Sequence, residues 1–255
     1  MERHDFKPSP PLQNVVERYL PFAEKDALIA DGQVGSASPI HTALVVLPAA
    51  AAADAATVPL LVVHRRIGLR CTLPKGIFGI LFRPCGFNRL LGVPVTTDAQ
   101  LPDGADGAVD RFGQALAQQV SAAPTYVQRV AAAEALMLAQ LRRGKSKAAA
   151  IESLITVVLE RNGQLSVDEM AREANISRRQ LERRFRDVLK VPPKLFTEMT
   201  RFAHVFQLLH EQPQANWSDI TYACGYFDQA HFIREFRRFT GETPKGYFAQ
   251  LACVK

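Results

Sequence analysis

The last hundred residues carry one pattern twice, and this repeat constrains the fold more than any bulk property. The first copy reads Ser177-Arg178-Arg179-Gln180-Leu181-Glu182-Arg183-Arg184-Phe185 and continues to Val191-Pro192-Pro193-Lys194. The second reads Asp228-Gln229-Ala230-His231-Phe232-Ile233-Arg234-Glu235-Phe236 and continues to Glu242-Thr243-Pro244-Lys245. Ser177 aligns with Asp228, Leu181 with Phe232, Arg183 with Arg234, Phe185 with Phe236 and Pro193 with Pro244, all at an offset of 51. Self-similarity at a fixed spacing marks a repeated supersecondary unit. Here each unit reads as two short helices around a tight turn, with the second helix apolar on one side and rich in arginine on the other.

Start and stop signals bound the helices. A helix runs from about Ala148 to Arg161, with Ile151, Leu154, Ile155 and Val158 inward, and Asn162-Gly163 closes it. Ser166 caps the next helix with Glu169 three residues on, a capping box; this helix buries Met170, Ala171 and Ala174. Asn175 suits the left-handed turn that follows. Ser177 and Gln180 form a second capping box, and Leu181, Phe185 and Val188 face inward. Pro193 starts a long helix to about His210, striped by Phe196, Met199, Phe202, Val205, Phe206 and Leu209. The second unit opens at Trp217, which reads as a packing anchor. It turns at Cys224-Gly225, caps its second helix with Asp228 and anchors it with Phe232, Phe236 and Phe239. Gly241, Pro244 and Tyr247 lead into a final short helix.

The first hundred residues read as strand-rich. Residues 42–47, 58–63, 68–73 and 77–82 are short β-branched or apolar runs separated by Gly, Pro and charge, as in a sandwich or small barrel. Residues 49–56 are an alanine-rich low-complexity run read as a loop, and 101–104 read as a turn. Two amphipathic helices follow, over 108–120 and 125–143, with Glu134 a charged exception on the inward face of the second. His41 and His64 fall in strand-like runs and read as structural. The polar stretch 142–147 is the expected boundary, giving domains 1–144 (β-rich to about 100, helical over 108–143) and 148–255.

Charge favours a polyanionic partner. The 255-residue chain has a formal net charge of +6. Its basic residues concentrate at Arg178, Arg179, Arg183, Arg184, Arg186, Lys190 and Lys194, opposed there by Glu182 and Asp187. The four cysteines, Cys71, Cys85, Cys224 and Cys253, show no zinc-ligand spacing and no disulfide framework. No signal peptide or membrane span is legible, so a reducing cytoplasm is expected, with no metal, no cofactor and no membrane.

An arginine-rich helix face is by itself commonly just solvated. Doubled, and placed on the second helix of a helix-turn-helix, it lies where side chains enter the DNA major groove. Residues from about Ala148 to Gln250 resemble the DNA-binding domain of AraC-type bacterial transcription regulators. The resemblance rests on Ser177-x-Arg179-x-Leu181-x-Arg183-x-Phe185, on Arg201 and Leu208-Leu209, and on Ile220, Ala223-Cys224-Gly225-Tyr226, Asp228-Gln229, Phe232, Arg234, Phe236 and Gly241-x-x-Pro244-x-x-Tyr247. One departure is Lys190, where the family usually has glycine; the second unit keeps it at Gly241. The resemblance implies an all-α domain of two helix-turn-helix units joined by a long helix. It also implies Arg179, Glu182 and Arg183 as base readers in the first unit, with Arg178 and Arg186 on phosphates. In the second unit Gln229, His231 and Arg234 are the expected readers, with Arg237 and Arg238 on the backbone.

Residues 78–87 and 90–94 are similar to the N-terminal domain that precedes this DNA-binding domain in some AraC-type proteins. That implies a β-rich, cupin-like sensory or oligomerisation module with a helical extension, and an α+β chain as a whole. Arg83 in this segment either braces a loop or meets an acidic ligand. The expected function is sequence-specific transcription regulation, activation included, with no enzymatic activity. Double-stranded operator DNA is the expected partner, with a small-molecule effector, RNA polymerase and a second copy of the chain as further candidates. The rival is a cysteine-dependent transferase fused to a DNA-binding domain, using Cys71 or Cys85. Neither thiol lies in a nucleophile motif.

Overall fold

The computed structural model describes residues 6–21, 28–29, 42–46, 71–72, 78–92, 106–142, 149–212 and 214–252. In the first half, β1 (Val16–Pro21), β5 (Phe78–Phe82) and β3 (Thr42–Val46) form an antiparallel sheet in the order β1-β5-β3. The central strand is Phe-Gly-Ile-Leu-Phe and all five of its residues are buried, as expected of a strand flanked on both edges and covered. β2 (Leu28–Ile29) and β4 (Cys71–Thr72) make a separate two-stranded ladder.

Three helices complete this half: α1 (Gly86–Leu91), α2 (Asp106–Ala122) and α3 (Tyr126–Leu141). Tyr19, Phe78, Phe82 and Phe87 share one core with Phe112, Leu116 and Val120 of α2 and with Val130, Ala133 and Met137 of α3. The two long helices are thus a wall of the sheet's own core, where the sequence suggested a trailing extension. Glu134 is explained by its partners: one carboxylate oxygen accepts from the Ser9 backbone N–H at 2.8 Å and from the Tyr19 hydroxyl at 3.0 Å. Thr125 caps α3 in a capping box with Gln128.

The strand-rich expectation is met in part. Helix outweighs strand among the described residues, which hold these two small sheets. β1 and α1 were not read from the sequence. The runs 49–56, 58–63 and 101–104, with His41 and His64, lie outside the described residues, as does most of 68–73.

The second half is wholly helical among the described residues: α4 (Ala149–Glu160), α5 (Val167–Glu173), α6 (Arg178–Leu189), α7 (Pro193–Glu211), α8 (Trp217–Ala223), α9 (Gln229–Thr240) and α10 (Pro244–Ala252). Both expected capping boxes form, at Ser166 with Glu169 and at Ser177 with Gln180. Asn162, Asn175 and Lys190 all have positive φ, as do Gly163, Gly225 and Gly241. Gly163 is needed for contact as well as for conformation. A Cβ there would clash with the Thr197 carbonyl oxygen and the Arg201 backbone nitrogen, so the end of α4 sits directly on the α7 backbone.

Two cores flank α7. One gathers Ile151, Leu154, Ile155 and Val158 of α4, Met170 of α5, Leu181 and Phe185 of α6, and Phe196 and Met199 of α7. The other gathers Phe202 and Val205 of the same helix with Ile220, Cys224, Tyr226, Phe232, Phe236 and Tyr247. Trp217 stacks on Phe232 at 5.8 Å between ring centroids, the anchor role read from the sequence. Cys85, just before α1, is buried with the first of these cores, and Arg89 on α1 pairs with Glu152 on α4 at 2.8 Å. No helix among the described residues is long and apolar enough to cross a membrane.

Candidate nucleic-acid interface

α6 buries Leu181, Phe185 and Val188. This leaves Arg178, Arg179, Arg183 and Arg186 exposed, with Glu182 half-buried beside them. Residues 179, 182, 183 and 186 fall at i, i+3, i+4 and i+7, so they share one helix face. Arg178 is partly occupied within the unit: it reaches Glu182 at 3.3 Å and Asp168 of α5 at 3.6 Å.

α9 repeats the arrangement 51 residues on. Phe232 and Phe236 are buried, and Ala230, Ile233, Arg234 and Arg237 occupy the outward face. Asp228 caps the helix, its carboxylate accepting from the His231 backbone N–H at 2.6 Å. Gln229 is exposed and donates to the Ser218 hydroxyl of α8 at 3.0 Å. His231 lies on the flank. Its ring meets Tyr226 edge-on at 5.4 Å, and its Nε2 is 3.9 Å from Glu235.

The flank facing α7 is ionic. Glu198 and Arg201, three residues apart on α7, meet Arg238 and Glu235, three residues apart on α9, with the signs crossed. Arg238 donates to Glu198 at 2.7 Å, and Arg201 donates to both Glu235 oxygens, at 2.9 Å and 3.2 Å. Glu235 is buried, and the Arg201 guanidinium lies 4.7 Å over the Tyr226 ring. Burial alone would lower the Arg201 pKa, but the hydrogen bonds and charge of Glu235 prevail and raise it. Arg238 also sits 4.7 Å over the Phe239 ring. In the first unit Arg184 stands where Glu235 stands in the second, so the crossed quartet belongs to the second unit alone.

The turns differ as well. Caps Ser166 and Asn216, and turn residues Asn175 and Gly225, correspond at an offset of 50, whereas caps Ser177 and Asp228 correspond at 51. Matching backbone bonds confirm this: Ile176 donates to the Ala171 carbonyl and Tyr226 to that of Thr221, each at 3.0 Å. The second turn therefore contains one extra residue, Phe227, whose side chain is 87% exposed. Aligning only the second helices hides this insertion.

Neither described thiol is poised as a nucleophile. Cys85 and Cys224 are buried, and burial pushes both thiols up to about 12, away from the thiolate needed for attack. Arg83 is a brace: its Nε donates to the Gln13 carbonyl at 2.7 Å.

A pair of capped helices with an outward basic row on the second defines a helix-turn-helix DNA-binding module. Residues 170–250 match the family described as a helix-turn-helix domain, and this region is of the AraC type. The chain is 31% identical over 93 residues to the HTH-type transcriptional regulator GbdR of Pseudomonas aeruginosa, covering 36% of this chain and 25% of that protein. It is 31% identical over 105 residues to the HTH-type transcriptional regulator ArgR of the same species, covering 41% of this chain and 31% of that protein. The chain thus spans about a quarter to a third of the length of these curated relatives. No solved structure matches it.

Proposed function

We propose that this chain is a sequence-specific transcription regulator of AraC type, in which two helix-turn-helix units read adjacent major grooves. The observation that carries the reading is the shared outward face of α6 and α9, basic in both and held on either side of one continuous helix. A rigid link of this kind suits two readers one DNA turn apart, on the order of 34 Å.

In the first unit Arg179, Glu182 and Arg183 read bases, arginine pairing with guanine O6 and N7 and glutamate accepting from cytosine N4. Arg178 and Arg186 hold phosphates. In the second unit Gln229 and Arg234 read bases, His231 supports them from the flank, and Arg237 meets the backbone. Arg238 approaches the backbone only insofar as Glu198 releases it. Residues 1–144 act as a sensory or self-association module, for which a cupin-like completion of the sheet, a small-molecule effector, a second copy of the chain and contact with RNA polymerase are proposed. The burial of Cys85 and the helix-turn-helix relatives weigh against the fused-enzyme reading that uses that thiol.

The test is binding of the full chain to duplexes from upstream of its own coding sequence, against scrambled duplexes, across a salt series. Preference for a segment of roughly two helical turns, lost in Arg183→Ala and Arg234→Ala, is the expected result. Equal, salt-steep binding to all duplexes would reduce the arginines to phosphate contacts. No binding even at low salt would overturn the reading.

A further inference from the structure

The two reading helices present different chemistry at equivalent positions. Across the offset of 51, the slot of Arg179 is filled by Ala230 and that of Glu182 by Ile233, while Arg183 and Arg186 keep cations at Arg234 and Arg237. Ile233 is 40% exposed and Ala230 is exposed. Immediately before the Asp228 cap stands the extra residue of the second turn, Phe227, the most exposed large hydrophobic side chain among the described residues. Packing does not account for it. The residue equivalent to the partly buried Ile176 is Tyr226, which is buried in the second unit. An aromatic ring in water at the N-terminal end of a helix flanked by arginines stands where that helix meets a duplex.

We propose that Phe227, Ala230 and Ile233 form an apolar reading edge that selects thymine through its 5-methyl group. The first unit then discriminates with charged side chains alone, and the second adds methyl contact to the readers Gln229 and Arg234. This rests on the DNA-reading function above. Among base edges in the major groove only thymine offers a methyl, and alanine and phenylalanine are suited to touch it. Arg234 and Arg237 on the same face make duplex DNA, rather than an apolar protein surface, the matching occupant.

The test begins with duplexes selected by the full chain from a randomised library. Each thymine of the selected sites is then replaced in turn by deoxyuridine, which lacks only the methyl. The expected result is a loss of about fourfold in affinity per methyl beneath the second unit, the value of one buried carbon. Phe227→Ala and Ile233→Ala should each abolish the sensitivity at one thymine while leaving the response to guanine changes beneath the first unit intact. Both side chains are exposed, so an unchanged thermal melt serves as the folding control. Sequence-selective binding with equal affinity for thymine and uracil duplexes would overturn the proposal. So would Phe227→Ala and Ile233→Ala proteins that retain full uracil discrimination. Failure of the underlying reading looks different: no sequence is enriched from the library.

Discussion

The most costly residues to alter are not those that would touch DNA. Glu235 has 4% of its side chain exposed and Arg201 16%, so removing one leaves the other's charge buried without its partner. Arg201→Met should therefore destabilise the protein by about 3 kcal/mol in urea unfolding, and Arg201→Met with Glu235→Leu by clearly less, because no charge is then stranded. A double substitution as damaging as the single would show that the charge pairing itself is unimportant. The thiols give a second prediction. With pKa values pushed up to about 12, Cys85 and Cys224 should resist iodoacetamide in the native protein at pH 8. They should react once urea exposes them and their pKa falls toward the ordinary value. Peptide mapping separates them from Cys71 and Cys253, and rapid native labelling at Cys85 would reopen the transferase reading.

At the scale of elements, capping and turn chemistry do most of the specifying. Ser177 joins the turn to α6, its hydroxyl accepting from the Gln180 N–H at 3.3 Å while the Gln180 side chain accepts from the Ser177 N–H at 3.0 Å. Ser177→Ala should cost about 1 kcal/mol. Lys190 sits at φ 56, a conformation that suits glycine, so Lys190→Gly should gain up to about 1 kcal/mol in thermal or urea unfolding. No gain would mean that the exposed lysine offsets its backbone strain. These elements were legible because their signals are local: a serine followed three residues later by Glu or Gln, an Asn-Gly, a proline at a helix start. β1 and α1 were not legible because their burial is decided by distant partners. Arg18 and Tyr19 look ordinary until Ile80 and Leu81 pair beside them. Gly86, which looks like a breaker, is required where a Cβ would clash with the Val15 carbonyl oxygen. In the candidate site, the arginines were legible from periodicity. Ala230, Ile233 and Phe227 carry no charge, so the arginine periodicity does not mark them; the strict offset from Arg179 and Glu182 is the signal that singles out the first two.

Across the whole molecule, the two outward faces proposed to read DNA belong to separate units with separate cores. Arg183→Ala and Arg234→Ala should each weaken operator binding by roughly 1–3 kcal/mol, and the double substitution by nearly the sum, because distant contacts are additive. A double variant no weaker than either single would mean that only one unit engages at a time. The α1–α4 contact, through Arg89, Glu152 and the buried Cys85, offers a physical route by which a change in the sheet-bearing half would reach the helical half.

The middle of α7 is shared property: Met199 is packed in one core and Phe202 in the next. An amide there is released to solvent only when both cores have dissolved, whereas amides of α5 or α10 need only one to loosen. In deuterated water the backbone between these two residues should be the last to exchange, at the rate set by complete unfolding. The isotope clock would then run slowest at the seam between the two copies, and faster within either copy.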